Sequence, residues 1–174
     1  KTKILIIGPS GSGKTSLVKQ LTNYTGKCSF IDLDLLGHHP GGDPDKWLIN
    51  VEAIQALISS DNAVVAAGIS TNWKQYVSLK WSLVIALIPT DSALIHQGVK
   101  RDRRSRDVVQ EPEYYVEAAH AFRTEVVPYL IKNVNHLVQI KFNDLDLAVT
   151  RIKGIVKTIP SLNRFIAKPM SARN

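Results

Sequence analysis

Residues 8–15 read Gly8-Pro9-Ser10-Gly11-Ser12-Gly13-Lys14-Thr15, a stretch that matches the pattern G-x-x-x-x-G-K-[ST] in full. It follows the apolar run Ile4-Leu5-Ile6-Ile7, which is typical of a buried parallel strand, and it precedes a helical segment from Ser16 to Leu21. Glycines let such a loop turn so that its N–H groups, together with the start of the helix, face phosphate oxygens. The stretch therefore predicts a nucleoside triphosphate site.

Each polar residue of this loop has an expected role. Lys14 is expected to contact the β- and γ-phosphates, and the Thr15 hydroxyl is expected to ligate Mg²⁺. A nucleoside triphosphate and Mg²⁺ are therefore the predicted cofactors. The residues predicted to bind the nucleotide are Gly8, Ser10, Gly11, Ser12, Gly13, Lys14, Thr15 and Ser16.

Strand-like and helical stretches alternate along the chain, which predicts an α/β fold: a three-layer P-loop sandwich with a five-stranded parallel sheet between helices. The predicted strands are Lys3–Ile7, Ser29–Leu33, Ala63–Ala67, Ser82–Ile88 and His136–Phe142. The predicted helices are Lys14–Thr22, Trp47–Ser59, Ser92–Arg101, Glu113–Asn133 and Leu145–Thr158. A glycine- and proline-rich loop is expected over residues 37–44.

The composition is that of a soluble globular domain of 174 residues. The longest apolar run, residues 83–89, is too short to cross a bilayer, and the first apolar run leads into the glycine loop and not into a signal-peptide cleavage site. Cys28 is the single cysteine, has no partner for an internal disulfide and suits a reducing cytoplasm. We expect a cytoplasmic protein without membrane contact or a structural metal.

The net charge of +7 is concentrated at the carboxyl end of the chain. Residues 151–174 carry six basic and no acidic side chains, whereas the other 150 residues carry 16 basic and 15 acidic ones. We expect one P-loop domain over residues 1–159 and a basic arm over residues 160–174. The arm is either a solvated terminus or a contact for a polyanion.

Two carboxylates, Asp32 and Asp34, end the second predicted strand, where their spacing of two predicts that both project on the same side. With this feature and the glycine loop, the chain resembles the shikimate and gluconate kinase group of small P-loop kinases. The resemblance implies that ATP is the nucleotide, that Asp34 deprotonates the acceptor hydroxyl and that Asp32 helps to hold Mg²⁺ through water. Phosphoryl transfer needs little beyond positioning, charge neutralisation and such a base.

Residues 100–107 carry five cationic side chains out of eight, and kinases of that group have an arginine-rich lid at this place. The resemblance implies a lid over about residues 100–112, which closes over the nucleotide and excludes water. Arg104 and Arg106 are expected to act on the transferred phosphoryl group, and Arg101 to bind the nucleotide, by contacting phosphate or by stacking on adenine.

The chain also departs from the named kinases. It has Ala67-Gly68-Ile69 where shikimate kinases have a glycine triplet, and it has no arginine between Gly26 and Lys100 to bind an acceptor carboxylate. The lysine-containing stretch of gluconate kinases is replaced by residues 70–76. These departures favour an acceptor other than shikimate or gluconate.

Acceptor contacts are expected from the segments that follow the second and third strands. The predicted acceptor-binding residues are His38, Gly68, Asn72, Trp73 and Lys74. His39, Trp47 and Tyr76 lie in the same segments, although Trp47 is as consistent with helix packing. The adjacent histidines have no nearby cysteine or third histidine, so we do not expect them to bind a metal.

Three functions fit these features. The first, which we prefer, is a kinase that phosphorylates a hydroxyl of a nucleoside or of nucleic acid, such as 5-hydroxymethyluracil in DNA. The chain resembles in its compact form the kinases that act on hydroxymethyluracil in phage genomes, and the lid, the basic arm and the segment from Trp73 to Tyr76 favour this function. The second is a kinase of a small, sugar-acid-like metabolite. The third is an ATPase switch without an acceptor, although the third strand ends at Gly68 and not at an Asp that could bind metal.

Overall fold

The computed structural model describes residues 2–22, 28–105 and 111–157, and the side chains of residues 21, 22, 28, 101–105 and 157 lie outside this description. Seven strands are present in the described ranges: β1 (Lys3–Ile7), β2 (Cys28–Asp32), β3 (Gly37–His38), β4 (Leu48–Ile49), β5 (Ala63–Ala67), β6 (Leu83–Pro89) and β7 (Leu137–Phe142). Five of them form a parallel sheet in the order β2-β5-β1-β6-β7. The predicted fold class is confirmed, and each predicted strand lies within a residue of an observed one.

The helices are α1 (Lys14–Thr22), α2 (Val51–Ser59), α3 (Lys74–Val77), α4 (Asp91–Ser105), α5 (Pro112–Ala121), α6 (Val127–Asn133) and α7 (Leu145–Lys157). The layers follow from which strand faces they cover. Alternate residues of the strands point to opposite faces, so Ile4 and Ile6 pack with α1 and α7, whereas Leu5 and Ile7 pack with α2, α3 and α6. Helices α4 and α5 pack on each other through Leu94, Tyr115 and Ala119.

The predicted helix Trp47–Ser59 was wrong in its first turn. Leu48–Ile49 instead pairs with Gly37–His38 as a small antiparallel sheet, inside what was expected to be loop and helix. The helix begins at Val51 because Asn50 caps it, its side chain accepting a hydrogen bond of 3.1 Å from the Ala53 N–H. This two-stranded sheet and the turns around it, residues 37–50, are called the acceptor-side hairpin, because some of the acceptor contacts were predicted in this segment.

Two further helix predictions differ from the structure. The predicted helix Glu113–Asn133 is interrupted by a π-helical segment, Phe122–Val126, just before Pro128. Proline cannot donate the next α-helical hydrogen bond and its ring crowds the preceding turn, so a wider turn here relieves both. Helix α4 continues to Ser105, so the first part of the predicted lid is helical backbone. The rest of the predicted lid from 106 to 110, and the predicted basic arm, lie outside the described residues.

Because the five strands are parallel, their carboxyl ends lie along one edge of the sheet. Gly8 follows β1, Gly68 follows β5 and Thr90 follows β6 at this edge, and Asp32 is the last residue of β2. In the sheet, β5 and β2 lie on one side of β1, and β6 and β7 lie on the other. Ligands of open α/β sheets bind where the strand order changes direction in this way. The fold therefore places the glycine loop and both carboxylates at one edge.

Candidate active site

The loop after β1 has the backbone conformation that its glycines allow. Gly11 and Gly13 have φ values of 82° and 91°, which side chains strongly disfavour. A Cβ on Gly13 would also fall 2.8 Å from the Leu145 side chain, at the start of α7. The Ser12 N–H donates to the Pro9 carbonyl at 3.0 Å and closes the turn. The loop thus joins β1 to α1 as the sequence predicted.

Lys14 lies across this loop. Its Nζ donates to the carbonyls of Gly8 and Pro9 at 2.8 Å each and lies 3.4 Å from Ser12 Oγ. Ser12 is almost fully buried, whereas Ser10 is half-buried and Ser16 is exposed. The Lys14 ammonium group is therefore held against the backbone of the loop, where phosphate oxygens are expected.

The loop and the end of β2 meet through two oxygen-bearing side chains. The Thr15 hydroxyl donates to Asp32 Oδ2 at 3.2 Å, although the two residues are 17 positions apart. The other carboxylate oxygen, Oδ1, accepts from the Asp34 N–H at 3.0 Å. The two residues predicted to hold Mg²⁺ are thus in direct contact.

The prediction that Asp34 lies in the same strand as Asp32 was wrong. Asp34 is not a strand residue, because β2 ends at Asp32 and residues 33–36 form a 3₁₀ turn capped by the Asp32 carboxylate. The turn buries Leu33 completely and leaves Asp34 exposed at the sheet edge. Side-chain capping, and not strand alternation, determines the position of Asp34 relative to Asp32.

Asp34 has a partner from the acceptor-side hairpin. The indole N–H of Trp47 donates to Asp34 Oδ1 at 3.2 Å. The indole ring covers Gly37, where a Cβ would fall 2.3 Å from the ring, and it meets the His39 ring edge-on at 4.9 Å between centroids. Trp47 is half-buried and is not helix-packing surface. Aromatic residues in a short loop were the only sequence signal for this contact.

A buried polar network lies behind this part of the site. Ser70 Oγ donates to Asn72 Oδ1 at 2.7 Å and shares a hydrogen bond of 3.0 Å with the hydroxyl of Tyr76, which is fully buried. Burial raises the pKa of the Tyr76 phenol well above its usual range; the Ser70 hydrogen bond opposes this rise and the negative charge of Asp34 adds to it. Tyr76 is therefore a neutral, structural part of the site.

Three of the predicted acceptor residues, Asn72, Trp73 and Lys74, follow β5 and make contacts within the protein. The Asn72 side chain bonds to both the N–H and the carbonyl of Ile49 and to Gln75, so it ties the acceptor-side hairpin to the loop after β5. The Trp73 ring packs edge-on against Tyr129 at 5.0 Å, and Lys74 lies over both rings. The structure thus brings neither Trp73 nor Lys74 into contact with Asp34, and their predicted role stays a prediction.

Gly68 and His38 are nearer to the end of β2. A Cβ on Gly68 would fall 2.7 Å from the Cβ of Leu33, so the glycine lets the turns after β2 and β5 approach each other. His38 is exposed on β3, and His39 bonds through Nδ1 to the Lys46 carbonyl at 2.6 Å. Over residues 2–22, 28–105 and 111–157, no group of three or more His, Cys, Asp or Glu side chains is arranged to hold a metal.

The arginines of the predicted lid are only partly described. The backbone of Arg101 and Arg104 belongs to α4, and Arg106 lies outside the described residues. Helix α4 itself touches the glycine loop: a Cβ on Gly11 would fall 3.2 Å from the Cα of Gly98 and 3.5 Å from the Tyr115 ring. The helix that carries these arginines is therefore packed directly on the phosphate loop.

The glycine loop, the sheet order and the Thr15–Asp32 contact define an α/β domain of the P-loop type. No protein-family model matches the chain, and no curated protein matches it either. Within the described segments, no helix has the length and apolar character needed to cross a membrane.

Solved structures do share the fold. A gluconokinase from Sinorhizobium meliloti 1021 is 18% identical with a TM-score of 0.53, and the match covers 95% of this chain and 94% of that one. The tunicamycin resistance protein of Deinococcus radiodurans is 15% identical with a TM-score of 0.57, and the match covers 90% of this chain and 96% of that one. The chain therefore has the fold of these proteins over nearly its whole length.

Proposed function

We propose that the protein is an ATP-dependent phosphotransferase that acts on an alcohol group. The observation that carries the proposal is the hydrogen bond between Thr15 and Asp32, because it places the end of β2 beside the phosphate loop. A second carboxylate, Asp34, lies in the turn that follows β2 and bonds to Asp32 through its N–H. A nucleotide switch needs the loop and a metal ligand but no base beside them. That one of the similar structures is named a gluconokinase also supports a kinase.

The side chains present fit ATP and Mg²⁺. The loop backbone around Gly11 and Gly13 forms the turn that receives phosphate oxygens, and Lys14 supplies a positive charge above it. Mg²⁺ prefers oxygen ligands and is usually held by one or two protein groups together with the phosphates, which the Thr15 and Asp32 oxygens match. When bound, Mg²⁺ neutralises charge on the phosphate oxygens.

Asp34 is the proposed base. The acceptor hydroxyl gives its proton to the Asp34 carboxylate as its oxygen bonds to the γ-phosphorus; the bond between that phosphorus and the bridging oxygen breaks, and ADP leaves. Lys14 stabilises the charge on the phosphates. Arg104 and Arg106 are proposed to reach the transferred group when the lid closes, and Arg101 to bind the nucleotide.

For the acceptor, the described part of the chain favours a small hydroxyl compound. Residues 32–52, which hold the base and the acceptor-side hairpin, carry five carboxylates and a single lysine, Lys46. Such a surface repels a polyanion, and no arginine lies between Gly26 and Lys100 to bind an acceptor carboxylate. A compound without negative charge meets neither obstacle.

A nucleoside or nucleic-acid hydroxyl, such as 5-hydroxymethyluracil in DNA, is the second candidate. The basic residues from 151 to 174 favour it, since Lys and Arg bind phosphates with a strong dependence on salt. Deletion of residues 160–174 distinguishes the two: it should weaken transfer to DNA in a salt-dependent manner and leave transfer to a small acceptor unchanged.

The function is tested with γ-labelled ATP. A kinase hydrolyses ATP slowly alone and transfers label when an acceptor is present. The acceptors to compare are neutral sugars and polyols, gluconate, and DNA with or without 5-hydroxymethyluracil. Rapid hydrolysis without any acceptor, or stimulation only by a protein partner, would instead indicate an ATPase switch and contradict the proposal.

A further inference from the structure

The hydrogen bond between Trp47 and Asp34 gives the hairpin a direct connection to the proposed base. The indole Nε1 lies 3.2 Å from Asp34 Oδ1. The two residues are 13 positions apart in the sequence. Their contact is not a packing contact, because Asp34 is exposed and the Trp47 ring packs on Gly37. A role for this hydrogen bond rests on the proposed function, since Asp34 is the base of that reaction.

Trp47 is held from its own backbone. Its N–H donates to Thr71 Oγ1 at 3.1 Å, and its carbonyl accepts from the Thr71 N–H at 2.8 Å. Two residues later, Ile49 exchanges two hydrogen bonds with the Asn72 side chain, at 3.0 and 2.9 Å. The loop after β5 therefore fixes β4 and the residue just before it, Trp47, which carries the indole.

The indole ring is fixed as well. Gly37 leaves no space between its Cα and the ring, since a Cβ there would fall 2.3 to 2.6 Å from three ring atoms. The His39 ring lies edge-on to it at an interplanar angle of 65°, and His39 is itself held by the Lys46 carbonyl. A donor held on its backbone and on its ring can determine how an exposed carboxylate is rotated.

We propose that Trp47 is a positioning residue for phosphoryl transfer. Its N–H fixes the rotation of the Asp34 carboxylate, and the Asp32 carboxylate fixes the Asp34 backbone through the hydrogen bond of 3.0 Å to its N–H. The base is thereby oriented from both the nucleotide side and the acceptor side. A misplaced base costs rate even when every reacting group is present.

The contact is tested first by NMR, without any acceptor. The chain has three tryptophans, so the indole N–H region of a ¹H–¹⁵N spectrum has three signals. Asp34→Ala should move the Trp47 signal upfield, because the hydrogen bond is lost. The Trp81 signal should stay in place, since its indole donates to the Tyr76 carbonyl at 2.8 Å. An unchanged Trp47 signal would overturn the proposal.

The role is tested by kinetics, with water as the acceptor and release of phosphate from Mg·ATP as the readout. Trp47→Phe keeps a ring but removes the N–H, and it should lower turnover about ten- to a hundredfold with the Kd of Mg·ATP unchanged. Trp81→Phe removes an indole hydrogen bond to a backbone carbonyl and not to Asp34, and it should stay within about twofold of the wild type.

The decisive comparison is made in an Asp34→Asn background. If Trp47 acts through Asp34, adding Trp47→Phe there should cause no further loss of turnover. A loss of equal size in both backgrounds would show that Trp47 has only a structural role. Failure of the proposed function differs from both results, because Asp34→Asn alone would then leave turnover unchanged.

Discussion

Two glycines in helix interiors differ in what surrounds them, and replacing each by alanine tests the packing of α4 on the phosphate loop. A Cβ on Gly98 would fall 2.1, 2.5 and 2.6 Å from three ring atoms of Tyr115, whereas a Cβ on Gly154 in α7 meets nothing within 4 Å. Gly154→Ala is therefore the matched control for Gly98→Ala.

The expected free energies follow from two opposing effects. Alanine in place of glycine in a helix interior stabilises a protein by about 1 kcal/mol. Overpacking a core costs about 1 to 3 kcal/mol, and Tyr115 is fully buried with its ring also against Gly11, so it has little room to move. We expect Gly154→Ala to gain about 1 kcal/mol and Gly98→Ala to lie about 1 to 3 kcal/mol below it.

The assay is urea unfolding of both variants, followed by isothermal titration with Mg·ATP. Gly98→Ala should also weaken ATP binding, because displacement of the Tyr115 ring disturbs Gly11 at the apex of the loop, whereas Gly154→Ala should bind ATP as the wild type does. Equal stability and equal ATP affinity of the two variants would refute the packing of α4 and α5 on the loop.

The other predictions concern single side chains. Lys14→Ala should abolish ATP binding by calorimetry while the circular dichroism spectrum is retained, because it removes a phosphate contact and no core volume. Asp34→Asn should keep ATP binding and lower transfer about a hundredfold or more; normal transfer would place the base elsewhere. Tyr76→Phe should cost about 1 kcal/mol at neutral pH through loss of the Ser70 hydrogen bond. Because burial raises the pKa of folded Tyr76, its neutral form stabilises the fold fully below the unfolded pKa of about 10, and this stability is lost at higher pH. Tyr76→Phe should therefore lose stability less steeply above about pH 10 than the wild type, in denaturation measured across that range.

The donor half of the site could be predicted because its signals are local in sequence. The loop conformation depends on Gly11 and Gly13, and both residues are recognisable by spacing alone. The sheet could be predicted because β1, β5 and β6 contain short apolar runs, and the complete burial of residues 4–7 in β1 shows why that run is apolar throughout.

The acceptor half could not be predicted in the same way, because its contacts join distant segments. Nothing near Trp47 in the sequence indicates Asp34 as its partner, and nothing near Asn72 indicates Ile49. The residues that seemed suited to bind an acceptor, Asn72 among them, are partly used to hold these segments together. Polar groups in a loop must first satisfy the backbone that they fold against.

This division has a consequence for how the specificity of the proposed acceptor site can change. The donor half depends on Gly13 and Leu145, whose contact ties the phosphate loop to α7, so changes there disturb the core. The acceptor-side hairpin is joined to the rest of the site by hydrogen bonds through Trp47, Ile49 and Asn72, and by the Ile49 side chain, which is buried in the core. Exposed positions between these anchors, such as His38, can therefore be replaced with little loss of stability. We therefore expect that a substitution at such a position can alter the preferred acceptor, while the ATP affinity and the free energy of unfolding stay unchanged.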